Sequence, residues 1–251
     1  MKNKYFNFFI ANIKQPKYLF ICISLFALGF VAKAQNQPDA GMWNTLSIEK
    51  EITPKLSVSV DEELRLKENF SQINLLYTNL GLNYSPIKRF KVSLIYRLIE
   101  KNMIDGNYTF RNRLMLDMSY KIKLNKFSIG YRSRLQSEVR SYYSSELGKI
   151  PEWFWRSKFE LKYDLNKFSP YIGTEIRYQI NDPRNPDFDN GFHRLRTFAG
   201  IDYKINKRNS CGIYYLIQNE FGISNPQDLY ILGVEYSISL GKFKKNKAVE
   251  N

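Results

Sequence analysis

The stretch Tyr108-Thr109-Phe110-Arg111-Asn112-Arg113-Leu114-Met115-Leu116-Asp117-Met118-Ser119-Tyr120-Lys121-Ile122 decides how this chain folds. Tyr108, Phe110, Leu114, Leu116, Met118, Tyr120 and Ile122 share one parity, and Arg111, Arg113, Asp117, Ser119 and Lys121 the other. A period of two places successive side chains on opposite faces of an extended strand, so the segment predicts a strand with one apolar and one charged face.

The pattern extends in both directions. Upstream, Leu56, Val58, Val60, Leu64 and Leu66 alternate with Ser57, Ser59, Asp61, Glu63 and Arg65, and only Glu62 breaks the rule; Phe90 to Leu98 alternates with Lys91, Ser93 and Arg97. Downstream, Phe127, Ile129, Tyr131 and Leu135 oppose Arg132, Arg134 and Glu138, and Trp153, Trp155, Phe159 and Leu161 oppose Arg156, Lys158, Glu160 and Lys162. Ile172, Ile176 and Tyr178 oppose Glu175, Arg177 and Gln179, while His193, Leu195, Ala199 and Ile201 oppose Arg194, Arg196, Asp202 and Lys204. Ile213, Tyr215 and Ile217 oppose Gln218 and Glu220, and Tyr230 to Leu240 opposes Glu235, Ser237 and Ser239.

A soluble sandwich or lipocalin-like barrel also alternates, but three features favour a membrane wall. Many of these segments run past ten residues, enough for the ~9–11 that cross a bilayer at a tilt. The polar face is ionic, which suits a closed lumen where charges pair across strands. Tight turns at Thr53-Pro54, Pro86-Ile87-Lys88, Leu124-Asn125, Asn166 and Asn206-Lys207 alternate with long loops at Ser141 to Pro151 and Asn181 to Gly191. The expected fold is therefore all-β, a closed antiparallel up-and-down transmembrane barrel.

The segments number eleven, with Trp43 to Lys50 short. Because single-chain bacterial barrels normally have an even number, ten to twelve strands are expected, with both ends of the barrel at the tight-turn side. Tyr84, Tyr120, Tyr163 and Tyr203 each precede a tight turn. One per hairpin, they predict an interfacial aromatic girdle, the ring apolar and the hydroxyl wet.

The ends point to export. Lys2, Lys4, Lys14 and Lys17 precede an apolar run from Tyr18 to Val31 and the small-x-small site Ala32-Lys33-Ala34. That is the layout of a cleavable signal peptide, residues 1–34, leaving 35–251 as one barrel domain. The net charge of +14 includes the five lysines of this segment. The basic residues that remain are spread along the chain rather than blocked, apart from the tail Lys242 to Lys247. Lipid and lipopolysaccharide are then nearer partners than nucleic acid, together with the machinery that assembles such barrels. Cys211 is the only cysteine after residue 34, so no internal disulfide is available.

With these features in place, the sequence resembles the outer-membrane barrels of Bacteroidota grouped under the domain of unknown function 2490. The resemblance is carried by Gly41-Met42-Trp43-Asn44-Thr45, Glu62-Glu63-Leu64-Arg65, Phe110-Arg111-Asn112-Arg113-Leu114, Phe192-His193-Arg194-Leu195-Arg196 and Gly200-Ile201-Asp202-Tyr203. It implies architecture and location and supplies no catalytic residues.

The candidate site is the charged row assigned to the lumen: Arg65, Arg97, Arg111, Arg113, Arg132, Arg134, Arg156, Arg177, Arg194 and Arg196, with Asp61, Glu63, Asp117, Glu138, Glu160, Glu175, Asp202, Glu220 and Glu235. As structure it is a self-neutralising filling; as function it is a narrow, porin-like, anion-biased conduit, since an open channel takes ~16 strands. The alternative is a membrane-embedded lipid or lipopolysaccharide acyl hydrolase using His193 on the membrane face. Those enzymes carry serine two residues after the histidine, where this chain has Leu195 and, two further on, Thr197; a belt histidine is the simpler assignment. Trp153-Phe154-Trp155 is expected in the outer girdle. Asp182, Asp187 and Asp189 fit no calcium-loop spacing and are expected in a solvated loop. No metal and no cofactor is expected.

Overall fold

The computed structural model describes residues 39–102, 108–140, 146–183, 190–223 and 226–241. The signal segment 1–34, the tail Lys242 to Lys247, Asp187 and Asp189 lie outside them. Eleven strands make one wall: β1 (Asp39–Glu51), β2 (Leu56–Lys67), β3 (Gln72–Ile87), β4 (Phe90–Asn102), β5 (Tyr108–Leu124), β6 (Phe127–Val139), β7 (Glu152–Tyr163), β8 (Phe168–Asn181), β9 (Gly191–Lys204), β10 (Asn209–Glu220) and β11 (Asp228–Leu240). Each pairs with its sequence neighbours, and β1 closes the barrel on β11. At ~3.3 Å per residue and a tilt near 40°, strands of 12 residues or more rise about 30 Å.

Eleven lies within the ten to twelve strands expected, while the way the ring closes corrects two finer expectations. Trp43 to Lys50 belongs to a full wall strand of 13 residues, so the number is odd. In an odd meander the first and last strands run the same way: β1 pairs β11 in parallel, Asp39 beside Leu229 and Lys50 beside Leu240, while every other pairing is antiparallel. The wall is thus not wholly antiparallel, and its two ends do not share a rim. β1 starts at the rim that carries the long loops, and β11 finishes at the rim of the tight turns.

Local chemistry sets the tight turns. Asn125 and Asn166 take positive φ of 53° and 67°, the left-handed conformation that asparagine tolerates in short hairpins. Pro86 and Ile87 fall inside β3 rather than in the turn, and the register with β4 shifts there; proline has no N–H to give the ladder. At the other rim the register shifts at Arg65/Leu66, Trp153/Phe154 and Arg177/Tyr178. Bulges of this kind bend a strand and re-aim side chains at barrel rims.

The outer surface is apolar. Leu80, Leu82, Leu94, Leu114, Leu116, Ile129, Leu161 and Ile213 are all exposed. Toward the tight turns come Tyr84 and Tyr120, with Tyr163 tilted against Phe127 at 4.7 Å and Tyr203 against Phe168 at 4.9 Å between ring centroids. Toward the long loops come Tyr108, Phe110, Trp153 and Tyr178 with Phe192. Glu62 stays on this outer face, where the Thr78 hydroxyl donates to its carboxylate at 3.1 Å.

Candidate functional site: the barrel interior

Alternation sends the odd members of β2 and β5 inward, and their charges meet those of the neighbouring strands. Glu138 on β6 accepts from Arg111 at 3.2 Å and from Arg113 Nε at 2.9 Å. Asp117 holds both arms of Arg134, each at 2.6 Å, with Arg132 at 3.9 Å. Glu175 is the hub, joined to Arg132 at 2.7 Å, Arg196 at 3.2 Å and Arg156. Glu63 takes Arg65 at 2.5 Å and Arg97 at 3.9 Å, and Glu220 takes Arg194. Bidentate arginine–carboxylate pairs fix geometry as well as charge, so Arg134 with Asp117 locks β6 to β5 in register.

The filling is not fully self-neutralising. Among the described residues, Asp61 meets Asn79 at 3.4 Å and no cation, and Glu235 makes no ion pair. Lys162 bridges Asp202 at 2.5 Å and Glu160 at 3.8 Å, while Lys158 reaches Glu160 at 3.0 Å. Arg140 with Glu152 at 2.6 Å, and Lys101, belong to the same interior although they lay outside the predicted row. Their parity in the sequence carried that signal.

Among the described residues, three cavities follow one another along the lumen. The one at the long-loop rim holds about 590 Å³, the middle one about 360 Å³ and the one at the tight-turn rim about 370 Å³. The first two share Trp43, Arg65 and Arg196 in their walls. There the Arg65 guanidinium lies 3.4 Å from the Trp43 ring centroid and 4.6 Å from that of Tyr77, with Arg196 5.2 Å from Trp43. The rim cavity is lined by nine arginines and lysines and three glutamates, the middle one by eight and six carboxylates. Positive charge is therefore concentrated at the long-loop end.

Beside the constriction lies an apolar cluster that alternation did not announce: Trp43, Phe198, Leu216 and Ile231, with Tyr171, Tyr214 and Leu229 against it. These residues sit on the charged parity. Glycines make room for the rings, because a Cβ at Gly233 would overlap the Tyr214 ring and one at Gly173 the Phe198 ring. Tyr171 does the same over Gly200, its Cζ 2.7 Å from where a Cβ would stand.

Two assignments are corrected here. His193 does not face the membrane: β9 carries one extra residue where Arg177 pairs Arg194 and Tyr178 pairs Phe192, and the bulge turns His193 inward to 4% exposure. Among the described residues its side-chain partners are Gln179 at 3.0 Å and Arg177 at 3.4 Å, with no hydroxyl, so the arrangement gives no support to a hydrolase. Phe154 is not in the outer girdle; it is buried in the lumen between the outward Trp153 and Trp155, the latter donating to Ser133 at 2.9 Å. Among the described residues no cluster of metal-ligating side chains occurs; of the three loop aspartates only Asp182 is described, and it is buried rather than solvated, its N–H donating to Asn190 Oδ1 at 3.3 Å.

No curated protein matches the chain. Among solved structures, the NanC porin in its rhombohedral crystal form is similar with 13% identity and a TM-score of 0.48, over 78% of this chain and 96% of that one. A family model described as a protein of unknown function, DUF2490, matches residues 40–229, and the chain belongs to that family.

Proposed function

We propose that the chain is exported, cleaved after Ala34 and inserted in a Gram-negative outer membrane of Bacteroidota type, where its lumen is a narrow, anion-biased conduit. The apolar outer belt between two aromatic bands supports membrane insertion, since such a surface is stable only against lipid. Lipid and lipopolysaccharide surround the wall, the assembly machinery for such barrels inserts it, and the long loops face outward.

The observation that carries the conduit reading is the nine-to-three excess of cationic side chains around the 590 Å³ rim cavity. A low-dielectric wall focuses that field, raising the local concentration of anions and repelling cations. Further in, arginine pairs and the Trp43–Arg65–Tyr77 stack narrow the path, so conductance is small.

Purified protein in planar bilayers under a salt gradient tests this. Small steps with a reversal potential on the anion side are expected. Large cation-selective steps overturn the reading, and a complete lack of conductance reduces the barrel to a structural element.

A further inference from the structure

Of the ten arginines predicted for the lumen, Arg177 alone makes no ion pair with a carboxylate among the described residues. Its guanidinium rests on the Phe154 ring, 4.5 Å from the centroid. Nη2 lies 3.4 Å from each ring nitrogen of His193, whose Nε2 is engaged by Gln179 Oε1 at 3.0 Å. Its buried Nε has no acceptor among the described residues. Arg194 and Arg196 line the same cavity, and the Glu220 carboxylate there is held by Arg194.

Aromatic contacts stabilise a cation without neutralising it. A buried guanidinium with an unmet N–H, packed among like charges, is costly unless an anion completes it. Arg177 opens on the rim cavity, and so does Arg111, whose Nε is likewise buried without an acceptor. Lys101 lines the same space and has no carboxylate partner among the described residues. At about 590 Å³ the cavity lies within the ~300–1,000 Å³ of small-molecule sites and exceeds what one inorganic ion fills.

We propose that this cavity binds a small soluble molecule bearing two or more phosphate or carboxylate charges, with Arg177 as its anchor and Arg111 and Lys101 as further donors. The bulge that turns His193 inward thereby gains a role: it sets an imidazole ring, and no carboxylate, beside the anchor. The inference shares the positive interior with the conduit reading, but binding does not require that ions pass.

Calorimetric titration of the full chain, refolded in detergent at low salt, with inorganic pyrophosphate and separately with citrate tests the site. One saturable site per barrel is expected for at least one of the two, weakened about tenfold or more by Arg177→Gln, in line with the loss of a charge-assisted hydrogen bond. Arg208→Gln, at the opposite rim, should leave affinity unchanged. Heat-modifiable migration on gels reports folding; if Arg177→Gln does not fold, Lys101→Gln and Arg177→Lys carry the test with weakening still expected. No saturable heat with either probe, or wild-type affinity in the folded variants, overturns the site. Anion-selective conductance without saturable binding refutes this inference and keeps the conduit, whereas binding in a barrel that passes no ions does the reverse.

Discussion

Trp43 of β1 lies opposite Gly233 of β11 in a parallel pairing, the single place where the wall runs in one direction on both sides. This seam puts the start of β1 and the end of β11 at opposite rims. In a Cys211→Ser background, membrane-impermeant maleimide on intact cells should label Asp39→Cys together with Glu68→Cys. Asn166→Cys and Gly241→Cys should label only after permeabilisation. Identical labelling of Asp39→Cys and Gly241→Cys, whether in intact cells or only after permeabilisation, would show an even-stranded wall.

The same seam depends on a missing side chain. Gly233 leaves the space that the Tyr214 ring occupies beside Trp43, Phe198 and Leu216. Gly233→Val should displace that ring and cost ~1–3 kcal/mol by overpacking, read as a lowered urea midpoint for the refolded barrel. Unchanged stability would mean the ring has another place to go.

Glu175 and Glu235 are both interior carboxylates, but Glu175 holds three arginines and Glu235 makes no ion pair among the described residues. Glu175→Gln should therefore destabilise by roughly 3 kcal/mol or more, leaving Arg132, Arg156 and Arg196 facing one another. Glu235→Gln should be close to neutral. Equal effects in denaturant titrations would refute the hub.

Arg111 and Arg113 share Glu138, and Arg132 and Arg134 share Asp117. Replacing all four arginines with alanine exposes two unpaired carboxylates in the lumen, so conductance should rise and its preference turn toward cations. A wider pore that still prefers anions would place the selectivity at the rim residues instead.

Glu62 is the one charge on the outer parity of β2, met by the Thr78 hydroxyl. If this face lies in lipid, Glu62→Leu should stabilise the barrel by about 1–2 kcal/mol in vesicles, less than the value for a basic residue at the midplane. A loss of stability would indicate that Glu62 meets a polar partner there.

The period of two determined which face of β2, β5, β6 and β7 each side chain takes, because a strand gives no other choice once it is extended. Residues such as Arg111, Asp117, Glu138 and Glu175 were thus legible as interior before any partner was known. Asparagines at the hairpins marked the turns, since few residues tolerate their conformation.

Closure was a different matter. An even or odd count changes no single strand's pattern, so the parallel seam between Asp39–Glu51 and Asp228–Leu240 arises only when the ring shuts. A bulge adds one residue to one strand and leaves its neighbours' alternation intact, which is why His193 read as outward and lies inside. The apolar cluster of Trp43, Phe198 and Leu216 depends on Gly173, Gly200 and Gly233 from other strands, a complementarity of volume that parity does not encode. Only the packed lumen decides which arginine keeps a carboxylate and which, at Arg177, is left for something else.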